Sequence, residues 1–321
     1  MIYKSLVIPI DSIDPEDDAY VITTEGILPP LLESIRTVGL INPPLLQKRN
    51  DQRYRIICGR RRILCCQKLG WAELPVRIAP DSFADVDCLT LAISDNRSHR
   101  SLNLIEQSRG IVKLSNLLSE ENHFKTICLL LDIPLNQKVF QKIKGLSRLP
   151  AAVQNGILRG ELSFEGAVAL LPFDPLEQIV FFELFKGLSL SQSKECEIIT
   201  LIDEIARHKA VSPIEVIQSE PIRAIMDEKN RDRSDKTRKV RTCLKRMRFP
   251  AITEAESQFT AHLKRLRLGN SIQLSPPPYF EGSTYKLCFS FKSLEELKQR
   301  LECLAKSSEK QAFHKIMQKE W

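Results

Sequence analysis

The stretch from Arg53 to Ile78, RYRIICGRRRILCCQKLGWAELPVRI, limits what this chain can fold into more than any other. Tyr54 to Cys58 is an apolar run of strand length. Gly59 breaks it, and Arg60, Arg61 and Arg62 follow. Ile63, Leu64, Cys66 and Leu69 then make an apolar pattern compatible with a helix, and Gly70 stands where a glycine just past a helix C-terminus stands. Leu74 to Ile78 reads as the next strand. A strand, a glycine and a helix start lined by arginines make an anion site. The first N–H groups of the helix and its positive end point the same way, and arginine adds bidentate contacts to phosphate oxygens. A solvated basic turn explains three adjacent arginines equally well, and on this stretch alone both readings stand.

With 321 residues the chain has room for two or three domains. No apolar run approaches the ~20 residues of a membrane span, and MIYKSLVIPIDSID has neither a basic n-region nor a small-residue cleavage site. A cytoplasmic protein is expected. Nine cysteines are scattered through apolar patterns, without C-x-x-C and without histidine at zinc spacing. They read as small core hydrophobes in a reducing compartment. The net charge is +7, yet residues 229 to 248 carry ten basic side chains against Asp232 and Asp235. A segment of that charge, containing Arg238, Lys239 and Arg241, is expected to meet a polyanion.

Along the chain, residues 1–100 mix strands (Tyr3–Ile10, Pro44–Lys48) with helices (Pro30–Val38, Phe83–Asn96) around a polar turn at Arg49–Arg53. From Asn103 the pattern is helical, opened by an Asn103/Glu106 capping box. Helices at His123–Leu131 and Asn136–Lys144 flank a short turn. The second puts Val139, Phe140 and Ile143 on one side and Gln137, Lys138, Gln141 and Lys142 on the other. This is a helix-turn-helix pattern, in which Gln can read adenine and Lys can reach guanine or phosphate. An ordinary helical hairpin with a solvated face fits the spacing as well. Further helix starts are predicted at Asp174/Glu177 and Ser212/Glu215, with an amphipathic helix at Glu195–His208 between them. Asp227 to Arg248 is expected as a linker or a solvated basic helix. Thr253/Glu256 is expected to cap a helix stopped by Gly269. Strands follow at Ser271–Leu274 and Tyr285–Phe291, then a helix capped by Ser293/Glu296 and a frayed tail from Ser307.

The central stretch resembles the GERR box of the ParB N-terminal domain, a family of chromosome and plasmid partition proteins. Leu31 to Gln47 is similar to the family's preceding helix, glycine turn and I-Q-P strand, with Gly39, Ile41 and Pro43 in place. Asp95 to Ser108 is similar to its ENxxRxxLNPxEEA box, and Leu146 to Leu171 to the segment after its helix-turn-helix. The resemblance implies an α+β chain with a sulfiredoxin-like N-terminal nucleotide-binding domain (1–100). It further implies an all-helical DNA-binding domain with the helix-turn-helix (101–226), a basic linker (227–249) and a small α-β-β-α dimerisation domain (250–308). It also implies a homodimer that binds double-stranded DNA, binds CTP and closes as a clamp in partition, with at most weak CTPase activity and a possible partner ATPase. Carried over by position, Gly59, Arg61 and Arg62 bind phosphate, Asn96 helps hold Mg²⁺, and Asp95 stands at the hydrolytic acid. The pattern is broken by Arg60 for Glu, Asp95 for Glu, His99 for Arg and Asn42 for Gln, and Glu165, Gly166 and Val168 replace the GHAR element's Gly, His and Arg. Phosphate binding is expected to survive these changes better than hydrolysis. Two alternatives remain: a regulator that binds DNA without nucleotide, and a sulfiredoxin-like enzyme. The second needs a cysteine where Arg60 stands, and Cys58, one residue before the glycine, is expected to point to the opposite face.

Overall fold

The structure, a computed structural model, describes residues 3–14, 16–24, 29–49, 53–118, 123–228, 231–268 and 272–318. It is a mixed α and β chain, mostly helical, in two compact units, residues 1–182 and 183–321. The division falls inside the region expected as one helical DNA-binding domain.

In the first unit, β1 (Lys4–Pro9), α1 (Pro29–Val38), β2 (Leu45–Lys48), β3 (Tyr54–Cys58), α2 (Arg60–Lys68) and β4 (Glu73–Ile78) form the N-terminal layer. The sheet order is β1-β4-β2-β3. β1 pairs antiparallel with β4, β2 antiparallel with β3, and β2 parallel with β4. Alternation along β3 serves two cores. Ile56 packs with Leu46, Ile63, Leu74 and Ile35 under α1 and α2. Ile57 faces the other way, joining Leu89 and Ile93 of α3 (Asp85–His99) and Ile111 and Leu114 of α4 (Leu104–Leu117). α2 is therefore held on one side of the sheet and α3 on the other. Of the expected polar turn, residues 50–52 lie outside the described residues.

The second core continues into α5 (His123–Leu131) and α6 (Gln137–Gly145), where Phe124 meets Phe140 edge to face at 5.2 Å. The turn between them places Asp132 at φ 56°, a conformation aspartate tolerates. Asn136 caps α6 by accepting from the N–H groups of Lys138 and Val139. The unit continues through α7 (Ala151–Leu158), α8 (Phe164–Leu170) and the start of α9 (Pro175–Lys186). The predicted caps at Asn103/Glu106, Asp174/Glu177 and Ser212/Glu215 are all formed.

The second unit holds α10 (Gln192–Lys209), α11 (Pro213–Ile217), α12 (Glu220–Asp227), α13 (Arg233–Arg248) and α14 (Pro250–Leu266). The basic segment, expected as a linker or a solvated helix, is α13. It buries Thr237, Val240 and Leu244, and its cations pair with carboxylates of the same unit. Lys229 lies outside the described residues. α14 starts at Pro250, ahead of the expected cap: Thr253 is inside the helix, its hydroxyl donating back to the Phe249 carbonyl. Proline at the first helical position supplies the start instead. Gly269 and Ser271 lie outside the described residues, and α14 ends with Arg267 at φ 51°. β5 (Ile272–Ser275) and β6 (Lys286–Phe289) form an antiparallel pair. α15 (Leu294–Ser308) follows its predicted Ser293 cap. The tail expected to fray forms α16 (Gln311–Gln318), because Ile316 buries against Leu266 and Phe259. Residues 319–321 lie outside the described residues.

Candidate functional site

Gly59 sits between β3 and α2 at φ 90° and ψ 22°, a left-handed conformation that glycine adopts without strain. Having no side chain, it leaves the first-turn donors of α2 uncapped. A Cβ built there would lie 2.9 Å from Pro44 Cβ and 3.0 Å from the Nε and Cζ atoms of Arg62. The turn is thus closed by three things at once: Gly59, Pro44 and the Arg62 guanidinium.

A cavity of about 350 Å³ opens at this turn. Gly59, Arg60, Arg61 and Arg62 line it from the start of α2, and Asp95, Asn96, His99 and Arg100 from α3 and its C-cap. All five residues assigned to the nucleotide site from sequence, Gly59, Arg61, Arg62, Asp95 and Asn96, meet in this one cavity. Asn42, noted as a departure, lines it too. Arg62 spans the site: its Nη1 donates to the Asn42 carbonyl (2.7 Å), and Nη2 is 3.7 Å from Asp95 Oδ2. Arg60 Nη1 donates weakly to the Asp17 carbonyl at 3.4 Å. Asn96 Nδ2 donates to the Ala92 carbonyl (2.7 Å), which fixes the amide and leaves Oδ1 as an oxygen acceptor. Among the described residues no three His, Cys, Asp or Glu side chains form a metal-binding group. His99 has no such company.

Tyr20 to Thr23 also line the cavity, a stretch the sequence reading missed. It is a loop without periodicity, and distant residues hold it. The Thr24 N–H donates to Glu106, Arg109 donates to the Thr23 carbonyl (3.1 Å), and Lys113 to the Asp18 carbonyl (2.6 Å). Glu106 is fully buried and receives both Arg100 η-nitrogens at 2.6 and 2.7 Å. Burial pushes its carboxyl up. Arg100 and the N–H groups of Asn103 and Thr24 outweigh that and hold it below the ordinary glutamate range. Burial likewise raises Asp17, and the Ala19 N–H, Arg55 and Arg49 more than reverse it.

Cys58, expected to face away, lines the cavity. Burial first, and then the Asp95 charge, push its thiol up to about 12. A thiol pushed up that far is a poor nucleophile at neutral pH. None of the nine cysteines forms a disulfide among the described residues.

Of the residues expected at DNA, Gln137, Lys138 and Gln141 are exposed along α6. Lys142 is held by both oxygens of Glu165 on α8, at 2.9 and 2.7 Å. On α13, Arg238 pairs with Asp235 (2.5 Å), Lys239 with Glu228 (3.3 Å) and Arg241 with Glu197 (2.6 Å). Lys245 shares Glu197, and Arg248 pairs with Glu204. Among the described residues no helix is long and apolar enough to cross a membrane.

Over 190 residues the chain is 30% identical to a nucleoid occlusion protein of Bacillus cereus (strain AH187), covering 56% of this chain and 62% of that protein. A nucleoid occlusion protein of Bacillus mycoides (strain KBAB4) is 29% identical over the same share. The chain thus spans less than two thirds of the length of these relatives. A C-terminally truncated chromosome-partitioning protein ParB of Caulobacter crescentus, solved complexed to the centromeric parS site, overlaps 61% of this chain and 98% of its own. Its TM-score is 0.36 and its identity 19%. The same protein complexed with CTP-gamma-S overlaps 57% and 98%, at a TM-score of 0.27 and 22% identity. Residues 5–96 match the family profile of the ParB N-terminal domain, which takes in both the arginine turn and the Asp95–Asn96 pair. From its first strand through most of α3, the chain is similar to the N-terminal domain of the ParB family.

Proposed function

We propose that this protein is a ParB-type DNA-binding protein whose N-terminal cavity takes a nucleoside triphosphate, CTP, and whose α6 docks on double-stranded DNA. The observation that carries the reading is the convergence at Gly59. An uncapped helix start with Arg60, Arg61 and Arg62 lines one cavity together with Asp95 and Asn96. Helix N-terminal N–H groups and guanidinium groups together bind phosphate oxygens. Asn96 Oδ1 would hold Mg²⁺ beside the phosphates, a cation that takes few protein oxygens and shares the rest with phosphate. Bound there, the cation would neutralise phosphate charge. Asp95, tethered to Arg62, stands at the acid position for positioning water. Its single-methylene stem and that tether support slow turnover at most.

The α6 face offers Gln137, Lys138 and Gln141 to a major groove. Arg238, Lys239, Arg241, Lys245 and Arg248 of α13 already have carboxylate partners, so the segment contributes less than its count of cations implies. In the second unit, Leu287, Phe291, Leu294 and Leu301 are exposed apolar side chains on or beside β6 and α15. That surface fits pairing with a second copy of the chain, placing the dimer contact within 250–308. Partition, with a partner ATPase, and action at the nucleoid are the settings the family resemblance implies. Equilibrium titration of CTP with Mg²⁺ tests the reading. Wild type binds, and Arg61→Ala weakens binding roughly ten- to hundred-fold, the worth of a charge-assisted hydrogen bond. A wild type that binds no CTP leaves a nucleotide-independent DNA-binding regulator.

A further inference from the structure

We infer that Glu165 is a specificity-determining residue of the α6 face, a carboxylate that occupies Lys142 and withholds it from non-specific DNA phosphate. The inference rests on the DNA-binding reading of α6.

Lys142 and Glu165 lie 23 residues apart, on α6 and α8, and Lys142 Nζ reaches both carboxylate oxygens. Both side chains keep about a third of their surface exposed, 38% for Lys142 and 34% for Glu165. A pair so exposed contributes little to stability, so its ammonium can be exchanged to another anion without unfolding anything. Its place is what matters. Lys138 and Lys142 are one helical turn apart on α6, with Gln141 beside them, on the surface that would meet a duplex. Glu165 cancels one of the two lysine charges on that surface.

A random phosphate that takes Lys142 must displace a carboxylate and then lie beside it, bare and of like charge. Only a site that also satisfies Glu165 escapes this penalty, for instance a cytosine amino group, a donor carboxylates accept from in the major groove. Non-specific affinity, which comes from cation–phosphate contacts and counterion release, is therefore reduced by one contact. Glu165 is also in the first turn of α8, where an acid favours the helix on its own account. The test must separate this role from the proposed one.

The experiment measures full-length protein on a random-sequence duplex across a salt series. It compares wild type, Glu165→Gln, Lys142→Met and the double variant, with thermal melting of each. Glu165→Gln is expected to tighten binding several-fold at moderate salt and to steepen the slope of log affinity on log salt by about 0.9, one added phosphate contact. In the Lys142→Met background the same change is expected to leave the slope unaltered. An equal slope change in both backgrounds would overturn the inference, since Glu165 would then act by general repulsion. An unchanged affinity in Glu165→Gln, with wild type binding measurably, would overturn it as well and leave the DNA-binding reading intact. Silence of wild type and all variants on every duplex at low salt would remove the DNA-binding reading and this inference with it.

Discussion

Replacing Gly59 by alanine should act on the nucleotide site through Arg62. At φ 90° an L-residue pays a backbone cost of about 1–3 kcal/mol. Gly39, at φ 81°, carries a similar conformation, but a Cβ there has nothing within 4 Å. Gly39→Ala therefore measures the backbone cost alone. At Gly59 the new methyl also falls 2.9 Å from Pro44 Cβ and 3.0 Å from the Arg62 guanidinium. Arg62, a flexible side chain, relieves its contact by swinging away from the Asn42 carbonyl and Asp95, while the Pro44 ring yields little and its contact adds to the cost. A charge-assisted hydrogen bond is worth about 1.5–3 kcal/mol. Gly59→Ala should thus lose about 1–3 kcal/mol more stability than Gly39→Ala in urea unfolding of the full chain. It should also lose CTP affinity, while Gly39→Ala keeps it. Equal destabilisation in the two variants, with CTP affinity intact in both, would refute the argument.

The pairing of Glu106 sets a pH dependence. Its carboxyl is depressed below the ordinary glutamate value, so its stabilisation is complete above that value and is lost as pH falls through the lower folded one. Acid unfolding monitored by circular dichroism should show this loss, and Glu106→Gln should flatten it while lowering stability at pH 7. Truncation after Phe249 should leave a monomer in sedimentation without nucleotide, since the exposed apolar face of β6 and α15 goes with the deleted part. A dimeric truncation would place the contact elsewhere. Substituting Gln137 and Gln141 by alanine should relax sequence preference in a selection from random duplexes more than it lowers overall affinity, and an unchanged preference would remove α6 as the reading helix.

The arginine turn was legible because its parts are contiguous: a strand, Gly59, three arginines and a helix sit within fifteen residues. Asp95 and Asn96 were reachable through the family resemblance, since nothing local marks a Ser-Asp-Asn on a helix as a wall of a site 35 residues back. Tyr20 to Thr23 was not legible. Its placement depends on Glu106, Arg109 and Lys113, more than 80 residues later. The same blindness to distance misjudged α13. Arg241 and Arg248 each find their carboxylate 44 residues away on α10, so a local charge count saw cations without counterions. Thr253/Glu256 had capping spacing, but Pro250 offered an earlier start, and a threonine inside a helix can bond back to its own turn. Cys58 followed the strand alternation only in part: the chain turns at Gly59, and the last residue of β3 looks into the cavity.

Amide hydrogen exchange of the full chain with and without CTP and Mg²⁺ tests the central claim most directly. If a triphosphate sits on the start of α2, the N–H groups of Arg60, Arg61 and Arg62 bond to it and their exchange slows on addition of CTP. Thr23 and Asn96, which also line the cavity, should gain protection with them. Protection confined to other elements, or unchanged exchange at Arg60–Arg62 under saturating CTP, would contradict the account.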